Sequence, residues 1–149
     1  MTRPSDPSRW HIGLIGYGEV GRILAEDLRA RGVAVSAYDL KLARPDTAAA
    51  LQAHAAGHGV LLAASHADLA SRADLIVSAV TASQTVAVAE ACASSLRSGS
   101  YFLDFNSASP GAKQRAAAAV DAAGGCYVEG AVMTSLPPYR IQVPLLLGG

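Results

Sequence analysis

The amino-acid sequence predicts an α/β domain: a doubly wound, mostly parallel sheet with helices on both faces. Three observations predict it. Short apolar runs alternate with longer helix-like stretches as far as Gly125, the pattern of parallel strands joined by crossover helices. The run Asp74 to Val80 (DLIVSAV) has almost no polar alternation, as expected of a strand covered on both faces. The 149 residues are 51% hydrophobic but only 5% aromatic, and alanine supplies much of the apolar count. That composition suits one helix-rich domain with a real core.

Residues 1–10 read as a polar N-terminal tail containing two prolines, and residues 11–149 as the domain. His11 to Gly16 (HIGLIG) is the first strand. Glu19 to Arg31 sets Val20, Ile23, Leu24 and Leu28 on one face, with Arg22, Glu26, Asp27 and Arg29 on the other, which is helical spacing. Gly32 stops that helix, and Val33 to Asp39 (VAVSAYD) is the second strand. Pro45 and Asp46 open an alanine-rich helix that runs out near Gly57, followed by a short third strand at Val60 to Leu62. Ser65 and Asp68 form a capping-box pattern at a brief helix before the fourth strand, Asp74 to Val80.

Ser83 to Leu96 reads as a helix and Tyr101 to Phe105 as the fifth strand. Ser109-Pro110 starts the next helix, with serine at the cap and proline at the first helical position. It ends at Gly124-Gly125. Cys126 to Val132 and Gln142 to Leu147 are two further strands, separated by a loop containing Pro137-Pro138.

The formal net charge is zero and the Lys and Arg residues are scattered. No basic stripe is available to neutralise a phosphate backbone, so nucleic acid is not an expected partner. No apolar run reaches the roughly 18–20 residues that span a bilayer, and residues 1–10 lack the apolar segment of a signal peptide. No membrane partner is expected, and the expected location is cytoplasmic. Cys92 and Cys126 make no disulfide framework. His54 and His58 are four apart and share a helix face, but no carboxylate or cysteine joins them in the sequence. They read as surface histidines, and no metal site is expected.

The chemistry concentrates at Gly16-Tyr17-Gly18-Glu19-Val20-Gly21, a G-x-G-x-x-G turn between the first strand and first helix. In that context Gly16 permits the tight turn, Gly18 lets a pyrophosphate approach the backbone, and Gly21 lets the helix pack on the sheet. Free N–H groups and the positive dipole end of the helix face the phosphates. Asp39, at the end of the second strand, is placed to accept hydrogen bonds from the hydroxyls of an adenosine ribose. The carboxylate favours NAD over NADP; Lys41 and Arg44 nearby leave NADP open. A methyltransferase also carries an acid after its second strand, but the third glycine of this turn serves a pyrophosphate. The fold expected is therefore Rossmann-type.

These segments together resemble the N-terminal domain of the β-hydroxyacid dehydrogenase family, which includes 6-phosphogluconate and 3-hydroxyisobutyrate dehydrogenases. The resemblance rests on HIGLIGYGEVGRILAEDL, AYD, DLIVSAVTAS, FLDFNSASPGAKQRAAAAV and GGCYVEGAVM, in the family's order. DFNSASP is the most specific of them. The resemblance implies that Val80 and Thr81 line the cofactor near the nicotinamide-side ribose, and that Asn106 and Ser107 lie close to the nicotinamide. Capping or loop bonding explains Thr81 and Ser107 equally well. Asp104 reads as an acceptor for loop N–H groups rather than a base.

The pattern departs from the family where a Ser-Gly-Gly turn would hold a substrate carboxylate. Here the stretch reads Val132-Met133-Thr134-Ser135-Leu136-Pro137-Pro138, leaving Ser107, Met133, Thr134 and Ser135 as substrate candidates. The family's catalytic lysine belongs to a C-terminal all-helical domain that these residues do not include. The lysines here are Lys41 and Lys113, neither matches, and Lys113 reads as a solvated side chain. The resemblance implies the cofactor-binding part of an NAD(P)-dependent oxidoreductase acting on a small hydroxy acid. Its partners are then a small-molecule substrate and either a helical domain or a second copy covering an apolar surface. A non-catalytic dinucleotide-sensing module is the alternative.

Overall fold

The computed structural model describes residues 3–133, 136–142 and 145–149. Strands β1 (His11–Ile15), β2 (Ala34–Tyr38), β3 (Leu61–Leu62), β4 (Leu75–Ser78), β5 (Tyr101–Asp104), β6 (Cys126–Val132) and β7 (Leu145–Gly148) form one sheet. Their spatial order is β3-β2-β1-β4-β5-β6-β7. Neighbours from β3 through β6 pair in parallel, and β7 pairs antiparallel to β6. The helices are α1 (Glu19–Ala30), α2 (Pro45–His58), α3 (His66–Arg72), α4 (Thr85–Ala93), α5 (Pro110–Ala122) and the short α6 (Leu136–Tyr139).

The sheet is covered on both faces, as its apolar strands require. On one side Leu24 and Ala25 of α1 and Leu51 and Ala55 of α2 pack with Ile12, Leu14 and Val35. On the other, Leu69 of α3, Val88 and Cys92 of α4, and Ala116 and Val120 of α5 pack with Ile15, Ile76 and Phe102. Burial pushes the Cys92 thiol up to about 12, so it behaves as a small apolar side chain.

Register aligns the carboxyl ends. Tyr38, Ile15, Ser78, Asp104 and Glu129 form one row across the sheet. The loops leaving that row carry Asp39, Gly16, Val80 and Asn106. The chain winds outward in one direction from β1 and in the other from β4, so the row contains the switch in strand order, where α/β sheets bind ligands.

Three details differ from the sequence expectation. A 3₁₀ turn at Ala82–Gln84 delays α4 to Thr85. The Pro137-Pro138 loop contains a helical turn, Leu136–Tyr139, which tolerates proline because first-turn N–H groups have no partner to lose. Of the residues before β1, Arg3 and Trp10 pack against the domain rather than trailing from it. Trp10 stacks on Tyr101 at 5.7 Å between ring centroids, and the Arg3 guanidinium lies over both rings.

Candidate functional site

The three motif glycines have separable reasons. Gly16 has φ +94°, and a Cβ there would sit 2.1 Å from the Ala79 carbonyl oxygen. A Cβ on Gly21 would sit 2.1 Å from the Gly16 carbonyl oxygen. Both glycines are required by the fold itself. A Cβ on Gly18 meets nothing within 4 Å, so nothing in the chain around it requires glycine there.

Gly18 is also the N-cap of α1 and offers no side-chain cap. By contrast, Ser65 and Ser109 cap α3 and α5 through their hydroxyls. The first-turn N–H groups of α1, at Glu19, Val20 and Gly21, are therefore left as donors for an anion. Glu19 is exposed and Val20 half-buried. A cleft of about 370 Å³ opens in front, bounded by Gly16, Gly18, Asp39, Lys41, Val80 and Thr81.

Asp39 accepts from the Tyr17 N–H at 2.7 Å and the Lys41 N–H at 2.9 Å. One oxygen thus pins the glycine turn and the other the chain after β2. Each carboxylate oxygen has a second lone pair, so the group remains an acceptor toward the cleft. His66, from α3, forms part of the same wall and meets Tyr38 edge-on at 4.8 Å. Burial holds its imidazole below the usual 6.5, favouring the neutral ring.

Tyr17 serves the turn from beneath. Its ring is fully buried, and its hydroxyl meets His54 Nδ1 at 2.6 Å. His54 Nε2 meets Glu26 Oε2 at 2.7 Å, and Arg140 Nη2 donates to Glu26 Oε1 at 2.8 Å. Desolvation, then the nearby Glu26 charge, pushes the Tyr17 phenol up to about 12. The His54 hydrogen bond, with Arg140, holds the Glu26 carboxyl below its usual range. His54 is consequently not a surface histidine: its side chain is 16% exposed. The carboxylate missing near His54 and His58 in sequence arrives from α1, 28 residues earlier.

At the other strand ends, Val80 and Thr81 line the first cleft, and Thr81 Oγ1 lies 3.3 Å from Ser83 Oγ, a loop contact. Asn106 is buried with both ends of its amide engaged. Its Oδ1 accepts from the Val80 N–H at 2.7 Å, and its Nδ2 donates to Ser78 Oγ at 3.0 Å. Asp104 accepts from the Asn106 N–H at 2.8 Å and from the Tyr127 hydroxyl at 2.8 Å, in keeping with an acceptor role. Burial, then that carboxylate, raises the Tyr127 phenol. Ser107 is exposed and shares a neighbouring cleft of about 260 Å³ with Asn106, Lys113 and Glu129. Met133 is 54% exposed; Thr134 and Ser135 lie outside the described residues.

Lys113 corrects the sequence reading. It is 8% exposed, with Nζ 3.9 Å from Asp104 Oδ1 and 3.5 Å from Glu129 Oε1. The signal was in the spacing: Lys113, Ala116 and Val120 form one buried stripe of α5. A residue type that usually snorkels to water here faces the sheet and balances a fully buried aspartate.

An open helix N-terminus at the switch in strand order, with a carboxylate closing the next strand, defines a dinucleotide-binding domain of the doubly wound class. More particularly, the chain belongs to the family of the NAD binding domain of 6-phosphogluconate dehydrogenase, whose model matches residues 11–134. Among solved structures, a conserved hypothetical protein from Sinorhizobium meliloti 1021 is 39% identical with TM-score 0.88, over 94% of this chain and 47% of its own. A 3-hydroxyisobutyrate dehydrogenase from Salmonella typhimurium is 25% identical with TM-score 0.73, over 94% of this chain and 48% of its own. The Mycobacterium tuberculosis 3-hydroxyisobutyrate dehydrogenase shares the fold at TM-score 0.82 and 19% identity, over 95% and 47%. The chain thus spans about half the length of these structures. No curated protein matches the sequence. Among the described residues, no helix is long and apolar enough to cross a membrane.

Proposed function

We propose that this domain holds NAD as the cofactor half of an oxidoreductase of the hydroxyacid dehydrogenase type. The observation that carries the reading is the open space above Gly18, at an uncapped helix N-terminus and beside a carboxylate. The Glu19, Val20 and Gly21 N–H groups would take the pyrophosphate, and Asp39 the adenosine ribose hydroxyls. Val80 and Thr81 would line the path toward the nicotinamide, with Asn106 fixing the Val80 backbone and Ser107 facing the neighbouring cleft. Nicotinamide chemistry would supply hydride transfer to or from a small hydroxy acid. The proton-transfer group would come from a second domain, and Ser107, Met133, Thr134 and Ser135 would form part of the substrate wall.

Asp39 sets the preference for NAD, because its charge opposes a 2′-phosphate; Lys41, in the same cleft, is the group that would favour NADP. Calorimetric titration of NAD and NADP, each alone, tests both points. Saturation by NAD with tighter binding than NADP is expected, and saturation by neither refutes the reading. Asp39→Ser should lower the NAD-to-NADP affinity ratio by about tenfold, the scale of one charged hydrogen bond. The ratio is the useful readout, since loosening of the turn through the lost Tyr17 and Lys41 contacts weakens both ligands together.

A further inference from the structure

Behind the glycine turn, away from the cleft, two helices bring a carboxylate and two imidazoles together. His54 and His58 lie one turn apart on α2, with ring centroids 4.4 Å apart and planes inclined by 31°. Glu26 projects from α1, and one ligand atom from each of the three residues falls within 4.8 Å of the others. A tetrahedral ion with bonds of about 2.0–2.1 Å needs ligand atoms about 3.3 Å apart. His58 is exposed at the last turn of α2, so its side chain has room to close the difference.

The supports are of the kind that orient metal ligands. A ligating histidine is held by a hydrogen bond on its other ring nitrogen, and His54 has one: Nδ1 meets the Tyr17 hydroxyl, leaving Nε2 toward Glu26. Arg140 fixes Glu26 through Oε1 and leaves Oε2 toward His54. Arg140 also pairs with Asp27 at 2.9 Å. Glu26, Asp27 and Arg140 together carry one net negative charge when the histidines are neutral, which suits a dication. Two imidazoles and one carboxylate select a borderline transition metal rather than magnesium or calcium.

We propose that Glu26 Oε2, His54 Nε2 and a ring nitrogen of His58 bind a divalent transition-metal ion of the zinc class, with the His54 ring proton carried on Nδ1 and donated to the Tyr17 hydroxyl oxygen. The ion would fasten α2 to α1 directly beneath Tyr17, stiffening the glycine turn without entering the cleft. Titrating metal-free protein with Zn²⁺ or Mg²⁺ by calorimetry is expected to give one saturable site for Zn²⁺ and none for Mg²⁺. His58→Ala and Glu26→Gln should each weaken Zn²⁺ by about tenfold or more, with far-UV circular dichroism unchanged. Co²⁺ should give tetrahedral d–d absorption in the parent protein and not in His58→Ala. Cys126→Ser removes an exposed thiol outside the site and should leave Zn²⁺ affinity unchanged. No saturable Zn²⁺ binding, undiminished binding by His58→Ala, or loss of binding in Cys126→Ser would each overturn the proposal.

Discussion

Gly16, Gly18 and Gly21 are equivalent in a motif and unequal in the molecule. Gly21→Ala forces a methyl onto a backbone oxygen that it would meet at 2.1 Å, and crowding of that kind costs about 1–3 kcal/mol or more. Gly18→Val starts its side chain in open space and costs about 0.5–1 kcal/mol as a poorer cap. Urea denaturation should therefore show Gly21→Ala markedly destabilised and Gly18→Val close to the parent, whereas calorimetry should show NAD binding lost in Gly18→Val. Asn106 and Ser107 divide in the same way. Asn106→Ala strips partners from the Val80 N–H and the Ser78 hydroxyl, a loss of about 1–3 kcal/mol for buried polar groups. Ser107→Ala, at an exposed position, should stay within about 0.5 kcal/mol. Equal urea midpoints for the two variants would contradict this division.

At the scale of elements, the strands β1 to β6 were legible because parallel strands buried on both faces read as continuous apolar runs, and proline, serine and glycine mark the helix ends. The direction of β7 was not legible, since pairing with β6 depends on how the chain turns back after Pro137-Pro138. Buried polar side chains escaped for another reason. The partners of Asn106 lie 26 and 28 residues away on another strand end, and Glu26 reaches His54 across two helices. Residue type alone marks Lys113 and His54 as exposed; only the helical spacing betrays that they face inward. β7 itself carries a consequence. Leu145, Leu146 and Leu147 are 37%, 62% and 63% exposed on an edge strand, and such edges pair with other chains. The 149-residue chain should self-associate in sedimentation experiments at micromolar concentration, and Leu146→Lys with Leu147→Lys should shift it to monomer. Unchanged sedimentation of that double variant would remove β7 from the contact.

For the molecule as a whole, acid is the expected weak point, in two windows. His11 and His66 both have pKa values lowered from 6.5. For His11 burial dominates, Asp74 opposes it, and Arg72 and Arg97 reinforce it. The unfolded chain then binds more protons than the folded one below about pH 7, so stability falls as pH drops through that range. Glu26 adds a second loss lower down, because its folded pKa lies below the usual 4.5. Thermal melts from pH 8 to 3 should show Tm falling in two stages, and His11→Gln should reduce the upper one. A Tm constant between pH 7.5 and 5.5 would refute the assignment. The Asp39 contact with the Tyr17 N–H has a kinetic meaning as well. The turn is already folded into its receiving shape, with Tyr17 anchored below and Asp39 above, so this turn need not order when a dinucleotide arrives. Capture should then run at a nearly constant rate across variants of the cleft wall, and their differences in affinity should appear as differences in residence time.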